Sequence, residues 1–130
     1  MKRVSCLLVV SLALLMSAGA SFNVSAEKMV HQSIIANEQL HTAHAINDEQ
    51  FKAVAVKLND VSVAGREYTK LAMAKKATPD DTAAFVAAIS KAFAALSSAP
   101  DAKQLGPVLS KLNQLEGEGV KYLNAAGGRP

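Results

Sequence analysis

The apolar residues of this chain recur at alternating steps of three and four over several long segments. The clearest segment runs from residue 47 to residue 76, where the repeated positions are Phe51, Val54, Leu58, Val61, Gly65, Tyr68 and Ala72. This spacing places one apolar stripe along an α-helix, and its average of about 3.5 residues is typical of near-antiparallel packing in a left-handed bundle. Asn47 or Asp48 is predicted to cap the start of this helix.

A second helix is predicted from Thr78-Pro79, a capping residue followed by proline at the first helical position. Between Ala83 and Leu96 its only strongly polar residues are Ser90 and Lys91, so we expect this helix to be largely buried. Beside its bulky apolar row lies a row of small residues, Ala84, Ala88, Ala92 and Ala95. This alanine row would let another backbone approach closely, within the fold or in a partner.

Two further segments complete the predicted fold. After a break at residues 97–101, the apolar stripe resumes at Leu105, Val108, Leu112, Leu115, Gly119 and Tyr122. Glycines near the end of that stripe predict fraying or a kink, because glycine is a poor helix former. The segment from Glu27 to Ile46 has only a rough stripe and is also predicted to be helical. We therefore expect an all-α fold, a small bundle of three to four helices over residues 27–124, followed by a disordered tail at residues 125–130.

The first 26 residues have the organisation of a secretory signal peptide. Two basic residues give a positive start, the apolar run from Val4 to Met16 follows, and small residues come after it. The run is about 13 residues long, shorter than the roughly 20 that a membrane-spanning helix needs, so we expect cleavage. Cuts after Ala20 and after Ala26 both fit the small-x-small rule. We place the cut after Ala26, with Ala20 as the alternative.

Composition narrows the functions open to the exported chain. Without Lys2 and Arg3 it carries 12 Lys and Arg against 11 Asp and Glu, so it lacks the basic excess of a nucleic-acid-binding protein. The only cysteine, Cys6, lies in the signal, which removes disulfides, thiol nucleophiles and thiolate ligands from the mature chain. No later apolar run reaches roughly 18 residues. We therefore expect a periplasmic or secreted protein without stable membrane insertion.

Three polar residues of the first mature segment have the spacing of a metal-ligand set. Glu38, His41 and His44 are three residues apart, so on one continuous helix they would share a face. A di-metal site in a bundle would need a second such motif on another helix, and no histidine follows His44. These residues are interpreted as a weak metal or ligand site, as a pH-sensitive patch, or as ordinary exposed side chains.

The sequence predicts no enzyme and no cofactor. It lacks a nucleophile motif with a nearby base, and the close pair Glu116 and Glu118 would point to opposite sides of a helix. A haem-attachment motif, a glycine-rich phosphate loop and a calcium loop are also missing from the sequence.

The functional interpretation is therefore an interaction protein. We expect a small exported helical protein of the bacterial cell envelope with a non-enzymatic accessory role, which binds another envelope protein or itself through the alanine row. One alternative is a weak metal- or ligand-binding periplasmic protein that uses the face of Glu38, His41 and His44. Another is an exported toxin or membrane-active protein, against which the lack of a basic face on the alanine-rich helix argues.

Overall fold

The structure is a computed structural model that describes residues 18–100 and 102–127. In these residues it contains four α-helices and no strand, which confirms the all-α prediction. The helices are α1 (Ala18–Thr42), α2 (Asp48–Met73), α3 (Pro79–Ser97) and α4 (Gly106–Tyr122). A 3₁₀ turn, Ala102–Leu105, precedes α4, and a π-helical turn, Leu123–Gly127, follows it. The signal-peptide prediction falls mostly on residues 1–17, which lie outside the described residues.

The helices form a closed four-helix bundle. Helix α1 packs against α2 and α4, and α3 packs against the same two neighbours, so the four helices surround one core. The connections 43–47 and 74–78 are short, which sets consecutive helices side by side and antiparallel. Of the helices described, none is long and apolar enough to cross a membrane.

Both predicted helix starts are confirmed, and each is a complete capping box. The Asn47 side chain accepts a hydrogen bond from the Gln50 backbone N–H at 2.8 Å, and the Gln50 side chain accepts one from the Asn47 N–H. Thr78 and Asp81 make the same reciprocal pair at the start of α3. Each box satisfies backbone donors that the first helical turn leaves free.

The predicted stripes of α2 and α4 supply much of the core. The fully buried members are Val54, Leu58, Val61, Leu105, Val108, Leu112 and Leu115. The expectation that α3 is largely buried is wrong, because only one side of it faces the core. Alanine is found both in the core and on the surface. The scarcity of charged residues between Ala83 and Leu96 therefore did not require the whole circumference of α3 to be buried.

Helix α1 differs most from the sequence prediction. It begins upstream of Glu27 and ends at Thr42, before the predicted end at Ile46. It ends because His44 adopts a left-handed conformation with φ of 60°, and the backbone N–H of Ala45 turns back to the Leu40 carbonyl at 2.9 Å. Its buried row is Phe22, Ala26, Val30, Ser33 and Asn37. The rough stripe in the sequence is thus explained by polar residues at buried positions.

The end of the chain is more regular than predicted. Helix α4 runs without a break through Gly117 and Gly119, so the expected kink is absent from it. Gly119 lies in a tight contact, because a Cβ there would come within 2.5 Å of the Val86 side chain and 3.2 Å of the Phe22 ring. The predicted tail is π-helical as far as Gly127, and residues 128–130 lie outside the described residues.

Candidate binding groove

An apolar recess lies between α1 and α2. It is a half-open cavity of about 450 Å³ with a floor of Ala26, Val30, Ile34, Gly65 and Phe85. Gly65 exposes the aromatic part of this floor, since a Cβ there would lie 3.3 Å from the Phe85 ring. A cavity of this size and lining is typical of sites that hold apolar groups.

A second cavity of about 250 Å³ continues the recess toward the α1–α2 connection. The two cavities share Ile34, Ser62 and Arg66 in their walls, so together they make one elongated depression, here called the α1–α2 groove. Phe51, Ala55 and Leu58 give the second cavity an apolar lining. The groove therefore runs along much of the α1–α2 contact.

Asn37 lines the second cavity and is only 1% exposed. Its side-chain nitrogen donates a hydrogen bond to the Phe51 carbonyl at 3.2 Å. Its carboxamide oxygen, Oδ1, has no hydrogen-bond partner among the described residues. A buried acceptor left without a donor costs about 1–3 kcal/mol. Because this oxygen is closed off from solvent, a donor in the groove reaches it only where the α1 and α2 walls separate locally.

Arg66 lies where the two cavities meet and is exposed. Its Nη2 donates a hydrogen bond to the Ser62 hydroxyl at 3.3 Å, and in the part of the chain that the structure describes it forms no ion pair. Lys70, one turn further along α2, is 3.8 Å from Glu67. The α2 rim is therefore basic, whereas the α1 rim carries Glu27.

One polar contact joins the two walls at the far end of the groove. The Thr69 hydroxyl donates a hydrogen bond to Oδ1 of Asn23 at 2.5 Å, and Asn23 is 7% exposed. This bond satisfies the buried amide oxygen and fixes α1 against α2. The groove thus has one end with its polar groups paired and one end, at Asn37, with an unpaired acceptor.

The predicted alanine row of α3 is divided between core and surface. Ala92 is 3% exposed and belongs to the core, Ala88 is half-buried, and Ala84 and Ala95 are exposed. The surface instead shows a wider outer face of Ala83, Ala84, Ala87, Ala94 and Ala95 around Lys91. At about 100° per residue these side chains span an arc of about 120°. This α3 outer face is smooth around Lys91, and Asp80 lies on the same side of the helix one turn before Ala83.

The predicted metal set is not assembled. Because α1 ends at Thr42 and His44 has positive φ, the premise of one continuous helix through Glu38, His41 and His44 is wrong. Glu38 lines the groove instead, and His41 turns toward the start of α2. No group of three or more His, Cys, Asp or Glu side chains able to hold a metal ion occurs within the described ranges.

His41 is engaged by two residues of α2. Its Nε2 lies 2.6 Å from Oδ1 of Asp48, and its ring stacks on Phe51 with centroids 4.3 Å apart. The hydrogen bond and the charge of His41 lower the pKa of the Asp48 carboxyl, with a smaller contribution from Lys52. The pair ties the end of α1 to the start of α2 and leaves no free carboxylate–histidine site there.

Two further polar contacts join neighbouring helices. The Thr82 hydroxyl donates to the Tyr68 hydroxyl at 2.9 Å, and burial raises the pKa of Tyr68. The Ser90 hydroxyl donates to Glu116, which joins α3 to α4, while Glu118 is exposed on the other side of its helix.

Sequence reasoning missed Asn37 and Arg66 as candidate site residues. A signal for Asn37 was present, since it continues the steps of three and four that run through Phe22, Ala26, Val30 and Ser33. Assigning the first two of these to the cleaved segment hid the stripe. Arg66 offered no signal, because its position depends on which helices pack together. The chain matches no protein-family model, no curated protein and no solved structure.

Proposed function

We propose that this protein is an exported, non-enzymatic binding protein of the bacterial cell envelope, and that it holds a segment of another protein in the α1–α2 groove. The observation that carries the proposal is the unpaired carboxamide oxygen of Asn37, buried in an apolar recess beside the guanidinium of Arg66, which forms no ion pair among the described residues. Apolar surface, an unpaired acceptor and an exposed cation together define a recognition pattern.

A polypeptide segment matches all three parts of this pattern. A backbone N–H can donate to Asn37 where the groove walls separate, and apolar side chains can cover the floor near Val30 and Phe85. An Asp or Glu side chain can pair with Arg66. A simple fatty acid has no donor for Asn37. The favoured ligand is therefore an extended segment with apolar residues and one acid.

The α3 outer face supports a second docking mode for the same class of function. Its exposed alanines let a helix approach closely with little side-chain entropy to lose, and Lys91 can pair with one acidic residue. This surface retains Ala84 and Ala95 from the predicted partner site and excludes Ala92. The partner for this mode is an amphipathic helix of another envelope protein or of a second copy.

Site-specific photo-crosslinking in exporting cells tests both modes. The photoreactive residue replaces Lys70 at the groove rim, Ala87 on the α3 outer face, or Asp60 on the outer side of α2 as the matched control. We expect a discrete adduct from position 70 and only background from position 60.

Each other outcome of the crosslinking has a defined meaning. An adduct from position 87 alone would show that the partner binds the α3 outer face and not the groove. An adduct of twice the protein's mass would identify a second copy as the partner. Equal background at all three positions contradicts the proposed function.

A further inference from the structure

The structure bears on where the export signal is removed. We propose that the chain is cut after Ala20, so that the mature protein begins at Ser21 and keeps the residues from Phe22 to Ala26. This inference rests on the export proposed above and not on the binding groove. It reverses the preference for Ala26 that the sequence suggested.

Phe22 joins the other three helices of the bundle. It is 5% exposed, and its ring centroid lies 5.8 Å from that of Tyr68 on α2, 6.0 Å from Phe85 on α3 and 5.5 Å from Tyr122 on α4. The pair with Tyr122 is stacked and the pair with Tyr68 is edge-on. A cut after Ala26 would remove this ring from the centre of the aromatic cluster.

Residues around Phe22 leave space for its ring and bond the residue that follows it. Gly119 leaves room for the ring, since a Cβ at that position would lie 3.2 Å from Cζ of Phe22. Asn23 accepts the hydrogen bond of Thr69, and Ala26 is 2% exposed in the floor of the groove. A cut after Ala26 would remove Phe22, Asn23 and Ala26 together. It would leave a cavity in the core and the Thr69 hydroxyl without its partner, and both changes lower the stability of the fold.

The sequence around Ala20 also favours a cut after that residue. Ala18 and Ala20 occupy the two small positions of the first site, and only three residues separate Ala20 from the end of the apolar run at Met16. The second site lies further from that run. Ser21 is also of a residue type favoured at the start of a helix, and a chain that begins there keeps six more residues of α1 than one that begins at Glu27.

The test is the intact mass of the protein recovered from exporting cells, for the unaltered chain and for two matched variants. Ala18→Lys places a charge in the first site, within the segment that is removed. Val24→Lys places the same charge in the second site, at a position 67% exposed in the fold. We expect a mature chain that starts at Ser21, blocked processing in A18K and unchanged processing in V24K.

A mature chain that starts at Glu27, or processing blocked by V24K alone, would overturn the inference. Retention of the unaltered chain at full length inside the cell would contradict export itself. Failure of the groove to bind a partner would affect neither result, so the two proposals are tested separately.

A second measurement compares thermal unfolding of purified chains that start at Ser21 and at Glu27. We expect the shorter chain to unfold at least about 10 °C lower, or without a cooperative transition, because it lacks the aromatic ring. Phe22→Ala in the longer chain should reproduce most of this loss. Equal melting temperatures for the two chains would overturn the structural argument.

Discussion

At the scale of single residues, the contact between Asp48 and His41 controls how the end of α1 meets the start of α2. The His41 hydrogen bond and charge favour the ionised carboxyl, so the pKa of Asp48 lies below its ordinary value of 3.8. A lowered folded-state pKa gives a stabilising contribution that is present above pH 3.8 and is lost as the pH falls through the folded pKa. Solvent exposure keeps this contribution small.

Carboxyl NMR titration measures the effect directly. We predict that the pKa of Asp48 lies below 3.8 in the unaltered protein and moves back toward 3.8 in His41→Phe, which keeps a ring on Phe51 but removes the donor. The neighbouring acid Glu49 serves as the internal control. An unchanged Asp48 titration in the variant would show that His41 is not the cause.

Lys75 carries local backbone strain at the end of α2. Its φ is 59°, a left-handed conformation that costs a residue with a Cβ roughly 1–2 kcal/mol and costs glycine almost nothing. Glycine gains unfolded-state entropy of about 0.5–1 kcal/mol, so Lys75→Gly should raise the free energy of unfolding by about 0.5–1 kcal/mol. Lys76→Gly, at an exposed neighbour outside the left-handed region, should lower it. Urea denaturation that gives both variants the same sign would contradict this account.

At the scale of the helices, glycine acts differently at two positions of α4. Gly119 contacts Val86 and Phe22 so closely that Gly119→Ala should lower the free energy of unfolding by about 1–3 kcal/mol. A Cβ at Gly117 would meet no atom within 4 Å, so Gly117→Ala should raise it by up to about 1 kcal/mol. Denaturation curves of the two variants test the contrast, and stabilisation by Gly119→Ala would show that α4 does not pack as described.

The helices differ in how far the sequence predicts them. The stripe of α2 and the Thr78-Pro79 start of α3 are local features, and both are confirmed. Helix α1 was predicted poorly because Ser33 and Asn37 replace apolar residues at buried positions, and because Phe22 was assigned to the cleaved segment. Periodicity also could not divide the alanines of α3 between core and surface. The groove depends on which helices become neighbours, which no local pattern records.

At the scale of the whole molecule, the unpaired oxygen of Asn37 makes the bundle less stable than an apolar side chain at this position would. Asn37→Leu removes the buried acceptor that lacks a donor while keeping a side chain of similar size. Relief of the unpaired oxygen (about 1–3 kcal/mol) outweighs loss of the hydrogen bond to the Phe51 carbonyl (about 0.5–1.5 kcal/mol). We therefore predict that this variant raises the free energy of unfolding by about 1 kcal/mol in urea denaturation and abolishes the groove adduct. A variant that is both less stable and still able to bind would show that Asn37 serves packing alone.

The most direct test of the account is charge reversal in the crosslinking experiment, with the photoreactive residue at position 70. Arg66→Glu places a negative charge at the centre of the groove, and Lys91→Glu places the same charge on the α3 outer face as the matched control. We predict at least about a tenfold loss of adduct in R66E, because an acidic partner residue then meets a like charge, and no loss in K91E. Equal adduct yield in R66E and the unaltered protein would contradict recognition through the α1–α2 groove.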